Sequence, residues 1–390
     1  QDADSIMRIA FVNSTISDYG GFERGMIELG KRLRSRGHEV FYYCWYHNPH
    51  ETFDSYKKYK VNQTLFGSLA KSVSRVTRNG SVAPSLAGVA LSSFTNVPLM
   101  IKSISDIRPD FIYLPVGHTF AGLVAKACRT GLICYYGSFP TILTNDSILT
   151  LLLRPFEKHT IRSSIVFVNS HYLGSFIRRR LDVDNLSVLH PGADIRRFSS
   201  VRRADEGRTL LYVGRFSVEK WNGHNFLLEI TRQLLGKLDA KLVLVGGLRE
   251  GHEPYLARLG TRIRELNLQN NVQVVVNASD DQVTRIYSSA TIYADPNVYD
   301  YSIAVVEALA AGLPVVVRNE GGQSEPIVHG ETGFRLNSNK EQWVKCIEAM
   351  LTRPNMISSM SRKARERAKA FSWDRAAEKL ESRIIEHAKK

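Results

Sequence analysis

No stretch of about 20 uncharged apolar residues occurs in the 390-residue chain, so a membrane-spanning helix is not expected. The nearest approach, PSLAGVALSSFTNVPLMI at 84–101, contains two prolines and five Ser/Thr/Asn residues. Cysteine occurs four times, at Cys44, Cys128, Cys134 and Cys346, without CxxC spacing. This spacing argues against a thiolate metal site or a dithiol redox motif and for buried free thiols in a reducing compartment. Asn13, Asn62 and Asn145 open glycosylation sequons, but nothing at the N-terminus resembles a signal peptide. Chance matches in a cytoplasmic protein are the expectation. No GxGxxG follows the first strand, and no acidic residue closes the second, VFYYCWY, where a dinucleotide ribose would need one. A dehydrogenase is therefore disfavoured. Zinc spacing, an aromatic RNA motif and a recognition helix are also missing, and the basic residues are spread over several helices, which leaves nucleic-acid binding with little support.

What is present begins with charge. The net value is +14, from 24 Lys/Arg against 15 Asp/Glu in residues 1–200 and 28 against 23 in the rest. Anionic partners are favoured, the more so for the first half. Length suggests two domains, and a hydrophobic share of 43% rules against disorder of the whole chain.

Short β-rich runs alternate with longer helical patterns, the signature of parallel sheets covered by helices. MRIAFVNS, VFYYCWY, FIYLPV, LICYYG, IVFVNS and LSVLHPG read as strands of a first sheet. After the polar interruption SSVRRADEGR at 199–208 the pattern restarts with TLLYVG, KLVLVGG, VQVVVN, TIYADP and LPVVVRN. The fold expected is α/β, two doubly wound Rossmann-like domains covering 1–195 and 196–370, followed by a C-terminal helix at 371–390. Ser372 is positioned to cap that helix, and Ala376, Ala377, Leu380, Ile384 and Ile385 recur at helical spacing. In open sheets of this kind ligands bind at the carboxyl ends of strands, so a site in the cleft is expected.

Three stretches carry the chemistry. Gly20 and Gly21 precede the helix FERGMIELGKRLRSRG and let backbone approach an anion near a helix N-terminus. LLYVGRFSVEKWNG places Gly214 and Arg215 at a strand end and Lys220 five residues further on, two cations suited to holding a diphosphate without a divalent metal. NVYDYSIAVVEALAAGLPVVV, 297–317, puts Glu307 among Val305, Val306, Ala308, Leu309 and Ala310. A carboxylate so surrounded should be largely buried, where it is costly unless it has a partner.

With VLVGG at 243–247 and NEGGQSEPIVHGETGF at 319–334, the chain resembles the retaining glycosyltransferases of the GT-B class, family 4. GGFERGMIELGKRLRSRGHEV looks like that family's first loop and helix, and HPGADIRRF like its interdomain segment, so the likeness covers nearly the whole chain. The resemblance implies a C-terminal domain that holds a nucleotide-diphosphate sugar, an acceptor entering from the N-terminal side, and no metal or other cofactor. Arg215 and Lys220 would neutralise the diphosphate, Glu307 would accept the ribose hydroxyls, and Glu325 would lie near the sugar or phosphate. Gly214 and Gly246 would line the donor site, the amides of Tyr301, Ser302 and Ile303 would point at the phosphate or sugar, and Gly21 would approach the diphosphate. The expected C-terminal helix would pack back towards the first domain.

Two departures from the family pattern stand out. Its usual pair of glutamates, seven residues apart, would put the first at Tyr299. Either Asp300 takes over the contact from the next position or Tyr299 reshapes the sugar pocket. Many relatives also carry a histidine where LICYYGSFP has Tyr136 or Gly137, and His118 in LPVGHTFAG is a candidate for the missing imidazole, with a surface or capping role as the alternative.

Residues 57–78 place Leu65, Leu69, Val73 and Val76 at helical spacing with Lys71, Arg75 and Arg78 elsewhere, a basic amphipathic helix that would suit either a core-facing position or an anionic membrane surface. With SILTLLLRP at 147–155 and the Arg178–Arg180 run, this fits a lipid-linked acceptor at the cytoplasmic membrane face. The function expected is transfer of a hexose from a UDP- or GDP-sugar to a glycan or lipid-linked glycan. The alternative is a sugar-nucleotide-binding protein of the same fold without transferase activity.

Overall fold

The computed structural model describes residues 6–15, 21–46, 61–63, 104–115, 125, 129–140, 148–199, 207–248 and 251–388. The chain divides into two compact units, one formed by Gln1–His190 with Ala376–Lys390, the other by Pro191–Arg375.

The first unit is built on a seven-stranded sheet in the order β3-β2-β1-β4-β5-β6-β7. Its strands are β1 Arg8–Thr15, β2 Glu39–Tyr46, β3 Val61–Gln63, β4 Phe111–Pro115, β5 Gly131–Tyr136, β6 Ile165–Val168 and β7 Leu186–Val188, all paired in parallel. Strands covered on both faces need apolar side chains at every position, which is why IVFV is buried throughout. Helices Gly21–Ser35, Ile148–Arg162 and His171–Leu181 belong to this unit. The last starts where Ser170 Oγ accepts the Leu173 amide and stops at Asp182, which adopts the left-handed conformation at φ 51°.

The second unit repeats the plan with six parallel strands in the order β10-β9-β8-β11-β12-β13. They are β8 Thr209–Val213, β9 Lys241–Gly246, β10 Val272–Val276, β11 Ile292–Asp295, β12 Val315–Arg318 and β13 Gly333–Leu336. Alternate residues feed two cores: Leu210, Leu242, Leu244, Ile292 and Val316 join one, Leu211, Val245, Tyr293, Val315 and Val317 the other. The helix Trp373–Ala388 has Ser372 Oγ accepting the Arg375 amide at 3.2 Å, and its residues from Ala376 onward belong to the first unit. There Glu381 accepts from Arg36 Nε at 2.6 Å and contacts His38 Nε2 at 2.7 Å, while His38 Nδ1 takes the Met7 amide.

The structure adds two strands that periodicity misses, β3 and β13. Both are edge strands of three and four residues, too short to show alternation. Strand β3 corrects the reading of 57–78 as one helix, since Val61, Asn62 and Gln63 pair with Tyr42, Tyr43 and Cys44. The apolar positions 65–76 and the segment 84–101 lie outside the described residues, as do Asn145, Cys128 and His118. Cys44 and Cys134 are buried and form no disulfide, and burial pushes the Cys134 thiol up to about 12. Among the described residues no helix is long and apolar enough to cross a membrane.

Candidate donor site of the second unit

A sheet ordered 3-2-1-4-5-6 reverses its winding between its first and fourth strands, and the loops leaving the carboxyl ends of those two strands splay apart to leave a crevice. In the second unit these strands are β8 and β11. The loop after β8 carries Gly214, Arg215 and Lys220, and the loop after β11 carries Asn297 to Ser302. Sequence and topology thus converge on one place.

A cavity of about 320 Å³ opens at the carboxyl ends of β8 and its neighbour β9, lined by Arg215, Phe216, Ser217, Glu219 and Lys220 from the loop after β8 and by Gly247 and His252 from the segment after β9. Close backbone packing shapes its floor. The Phe216 amide bonds to Gly247 O at 2.9 Å and the Gly214 amide to Val245 O at 2.9 Å. A Cβ on Gly246 would stand 2.0 Å from Gly214 O, so only glycine fits where these two loops touch. Arg215 is exposed, and neither it nor Lys220 forms an ion pair with a carboxylate among the described residues. Two cations lining one cavity and making no direct ion pair keep their donors available to an arriving anion.

Lys220 Nζ lies 3.7 Å from the centroid of the Tyr299 ring. Desolvation lowers the pKa of Lys220, while Asp295 and Asp300 oppose that shift. Tyr299 is fixed at both ends, its hydroxyl 3.0 Å from Tyr212 Oη and its amide 2.9 Å from Gln323 Oε1. Burial of its hydroxyl lifts the Tyr299 pKa well above the usual value. Gln323, wholly buried, also donates through Nε2 to the carbonyls of Asn297 at 2.9 Å and Glu320 at 2.8 Å.

Asp295 ends β11 at 1% exposure. Its Oδ1 accepts from the Asn297 amide and from Asn297 Nδ2, both at 3.0 Å. Desolvation raises its pKa to about 6 against the opposing pull of these bonds and of Lys220. Nearby, His224 is buried with Nδ1 bonded to the Tyr255 hydroxyl. Desolvation, with Lys220 adding to it, drops the His224 pKa to about 4, so the ring is neutral at pH 7.

The helix Ile303–Ala311 follows the loop and ends at Gly312, which takes the left-handed conformation at φ 81°. Ser302 forms no side-chain cap. The Tyr301 amide, expected to face a donor, donates instead to Asp300 Oδ1 at 3.1 Å, because an Asp beside a turn competes for local amides, and the Tyr301 hydroxyl bonds to Pro191 O at 3.1 Å. Glu307 is buried at 3% exposure, and its Oε2 accepts from the Tyr287 hydroxyl at 3.1 Å. Glu325 follows the short 3-10 turn Gly322–Ser324, and Arg367 donates to the carbonyls of Pro326 at 2.9 Å and Glu325 at 3.4 Å.

The cavity thus brings Arg215 and Lys220 together, while Glu307 and Glu325 are not among its lining residues. In the first unit Gly21 opens its helix, and Tyr136 turns into the core with its hydroxyl donating to Glu157, so it offers no surface substitute for an imidazole. Asp295, Gln323, Tyr212, Asn297 and His252 were not singled out from the sequence. An aspartate closing the apolar strand IYAD was a readable signal for the first; the others depend on contacts between distant stretches.

Two family models match the chain, "Glycosyltransferase Family 4" over residues 19–197 and "Glycosyl transferases group 1" over residues 195–367. The chain is 29% identical over 229 residues to a GDP-Man:Man(3)GlcNAc(2)-PP-Dol alpha-1,2-mannosyltransferase of Dictyostelium discoideum, covering 54% of this chain and 45% of that protein. It is 24% identical to an alpha-1,3/1,6-mannosyltransferase of Neurospora crassa, covering 95% of this chain and 88% of the other. The chain spans about half the length of the first curated relatives it matches. Among solved structures, a glycosyltransferase from Rickettsia africae superposes with TM-score 0.77 at 17% identity, over 97% of this chain and 99% of that one. Anabaena Alr3699/HepE in complex with UDP-glucose gives 0.73 at 17% identity, over 98% and 99%.

Proposed function

The chain belongs to the group 1, family 4 glycosyltransferases, and from that premise we propose that it moves a hexose from a nucleotide-diphosphate sugar to a hydroxyl of a glycan or lipid-linked glycan, with retention and without a metal ion. Its fold is GT-B. The observation that carries the reading is the pair Arg215 and Lys220, which line one cavity at the carboxyl ends of β8 and β9 without a direct ion pair to a carboxylate among the described residues. As the bond between the sugar and the diphosphate lengthens, negative charge grows on the leaving oxygen, and these cations stabilise it more than the ground state. The acceptor oxygen attacks the face that the diphosphate leaves, its proton passes to the departing phosphate oxygen, and no protein nucleophile is consumed. Glu307, set on the helix that follows the loop, would accept the donor's ribose hydroxyls, and Glu325 would serve the sugar end.

The relatives' names favour a GDP-mannose donor and a lipid-linked acceptor, and the UDP-glucose complex of the structural neighbour keeps a UDP-sugar in view. A lipid-linked acceptor also fits the helix Ile148–Arg162, which exposes Leu151 and Phe156 at 47% and 53% among Arg154 and Lys158. Isothermal titration with UDP and GDP, followed by transfer assays with both sugar nucleotides, tests the reading. Arg215→Ala should weaken nucleotide binding by about 10- to 100-fold, the value of a charge-assisted hydrogen bond. Absence of binding of either nucleotide, or undiminished binding in the variant, sinks it. A second reading, donor binding without transfer, is favoured by Tyr299 standing where the family usually has a glutamate; sugar transfer abolished by Lys220→Ala would dismiss it.

A further inference from the structure

The departure at Tyr299 and the unexpected Asp295 meet at the same lysine. Lys220 Nζ sits 3.7 Å above the Tyr299 ring, and no carboxylate among the described residues pairs with it. A π face attracts a cation but carries no net charge, so the ammonium keeps its full field for an arriving anion. The ring in turn is held by the Tyr212 hydroxyl at 3.0 Å and, through the backbone, by Gln323 at 2.9 Å. Asp295 is buried beneath this group. Its Oδ1 is used by Asn297, and its Oδ2 is buried with no hydrogen bond of good geometry among the described residues, the neighbouring Tyr293 hydroxyl adding to what favours its charged form. A buried carboxylate whose hydrogen bonds are incomplete is costly, and a nearby cation is the usual compensation. Here that cation is Lys220: Asp295 Oδ1 holds Asn297 Nδ2, which reaches the Tyr212 hydroxyl at 3.5 Å, and that hydroxyl meets the hydroxyl of Tyr299, on whose ring the ammonium sits, so the two charges share one packed group without a direct ion pair.

We propose that Tyr299 and Asp295 are positioning residues for Lys220: the aromatic ring places the ammonium at the cavity without neutralising it, and the buried Asp295 carboxylate keeps it charged for the donor's diphosphate. The inference rests on the donor reading above and deepens it. A direct ion pair would have to be broken each time a diphosphate arrived. A ring contact and a carboxylate at a distance leave the ammonium available while fixing where it sits. The other groups facing Lys220 are Arg215 and Glu219 on its own segment, Asp300 from the loop after β11, and the neutral His224 behind it.

The test compares wild type, Tyr299→Phe, Tyr299→Leu, Asp295→Asn and Arg215→Ala by isothermal titration with UDP and GDP between about pH 7.5 and 10. The same proteins are pulse-acylated, and the labelling of Lys220 is read by mass spectrometry. Tyr299→Phe keeps the ring and should bind within about twofold of wild type, whereas Tyr299→Leu should weaken binding about 2- to 30-fold, the range of a cation–π contact. Asp295→Asn, an isosteric change that keeps an oxygen for Asn297, should move both the alkaline limb of binding and the midpoint of Lys220 acylation to lower pH. A merely structural role for Asp295 would leave that midpoint in place. If Arg215→Ala loses binding while Tyr299→Leu and Asp295→Asn match wild type in affinity and pH profile, the positioning inference is overturned and the donor reading stands. If wild type binds neither nucleotide, both fall. Should Tyr299→Leu not fold, the acylation midpoint of Asp295→Asn decides alone.

Discussion

Replacing Gln323 with leucine should unseat the loop at 297–302 of the second unit. The side chain is wholly buried and makes three hydrogen bonds, accepting from the Tyr299 amide and donating to the carbonyls of Asn297 and Glu320. Leucine has a similar volume, so the loss is one of hydrogen bonding more than packing. Each main-chain group left without a partner in a buried place costs about 1–3 kcal/mol. Asn297 and Glu320 are themselves partly exposed or exposed, and water can reach them, so the lower figure applies to their carbonyls. The sum is about 3–5 kcal/mol, which for a unit of this size lowers its melting temperature by roughly 6–20 °C. Differential scanning calorimetry with and without UDP or GDP provides the assay, since a ligand that binds only the folded unit identifies its transition by raising it. Nucleotide affinity should fall as well, because Gln323 fixes the residue on which Lys220 rests. A Gln323→Leu protein melting within about 2 °C of wild type, at the scale expected per kcal/mol, would show that the loop holds itself without this side chain.

Gly246→Ala places a methyl 2.0 Å from Gly214 O, and the two loops must part; a loss of about 2 kcal/mol or more in urea unfolding, with weaker nucleotide binding, is expected. Asp295 and His224 titrate in opposite senses. The folded-state pKa of Asp295, about 6, lies above its ordinary 3.8, so the stability it contributes is present below about pH 4 and lost as pH rises through 6, a change of about 3 kcal/mol. The His224 value of about 4 lies below its ordinary 6.5, so its contribution is present above that pH and lost as pH falls towards 4. Urea titrations from pH 4 to 7 should therefore find Asp295→Asn losing stability more steeply on acidification than wild type, and identical slopes would refute the assignment. Glu381→Ala strips Arg36 and buried His38 of their shared acceptor, and should cost about 1–3 kcal/mol in the first unit's transition and speed proteolysis of the C-terminal helix.

The central strands were legible because burial on both faces forces uninterrupted apolar runs such as IVFV and VVV, and the strand end followed by Arg215 and Lys220, weak as a signal by itself, points to an anion only together with the rest of the domain. The edge strands were not, because three or four residues paired on one side need no recognisable pattern. Among site residues, Glu307 was correctly read as buried from its apolar neighbours, but its Tyr287 partner, twenty positions away in sequence, had no local signature. Tyr299 is recognisable as a departure from the family, while its meaning needs Tyr212 and Lys220 from one stretch and Gln323 from another, which the fold brings to it. Tyr136 was noted where relatives carry a histidine, and only the structure shows its hydroxyl committed to Glu157.

The helix Trp373–Ala388 begins in one unit and finishes in the other, so the first unit is assembled from both ends of the described chain. During synthesis the ribosome releases residues 191–375 before it delivers Glu381 to His38 and Arg36. The unit that starts first is therefore completed last: its seven strands precede the second sheet, but its final helix follows it. A fragment ending at 190 would be missing a helix it needs, whereas the segment 191–375 carries every residue of the unit to which it belongs. Removal of residues 376–388 is thus predicted to injure the unit built on the strands β1 to β7, at the opposite end of the described chain from the residues removed.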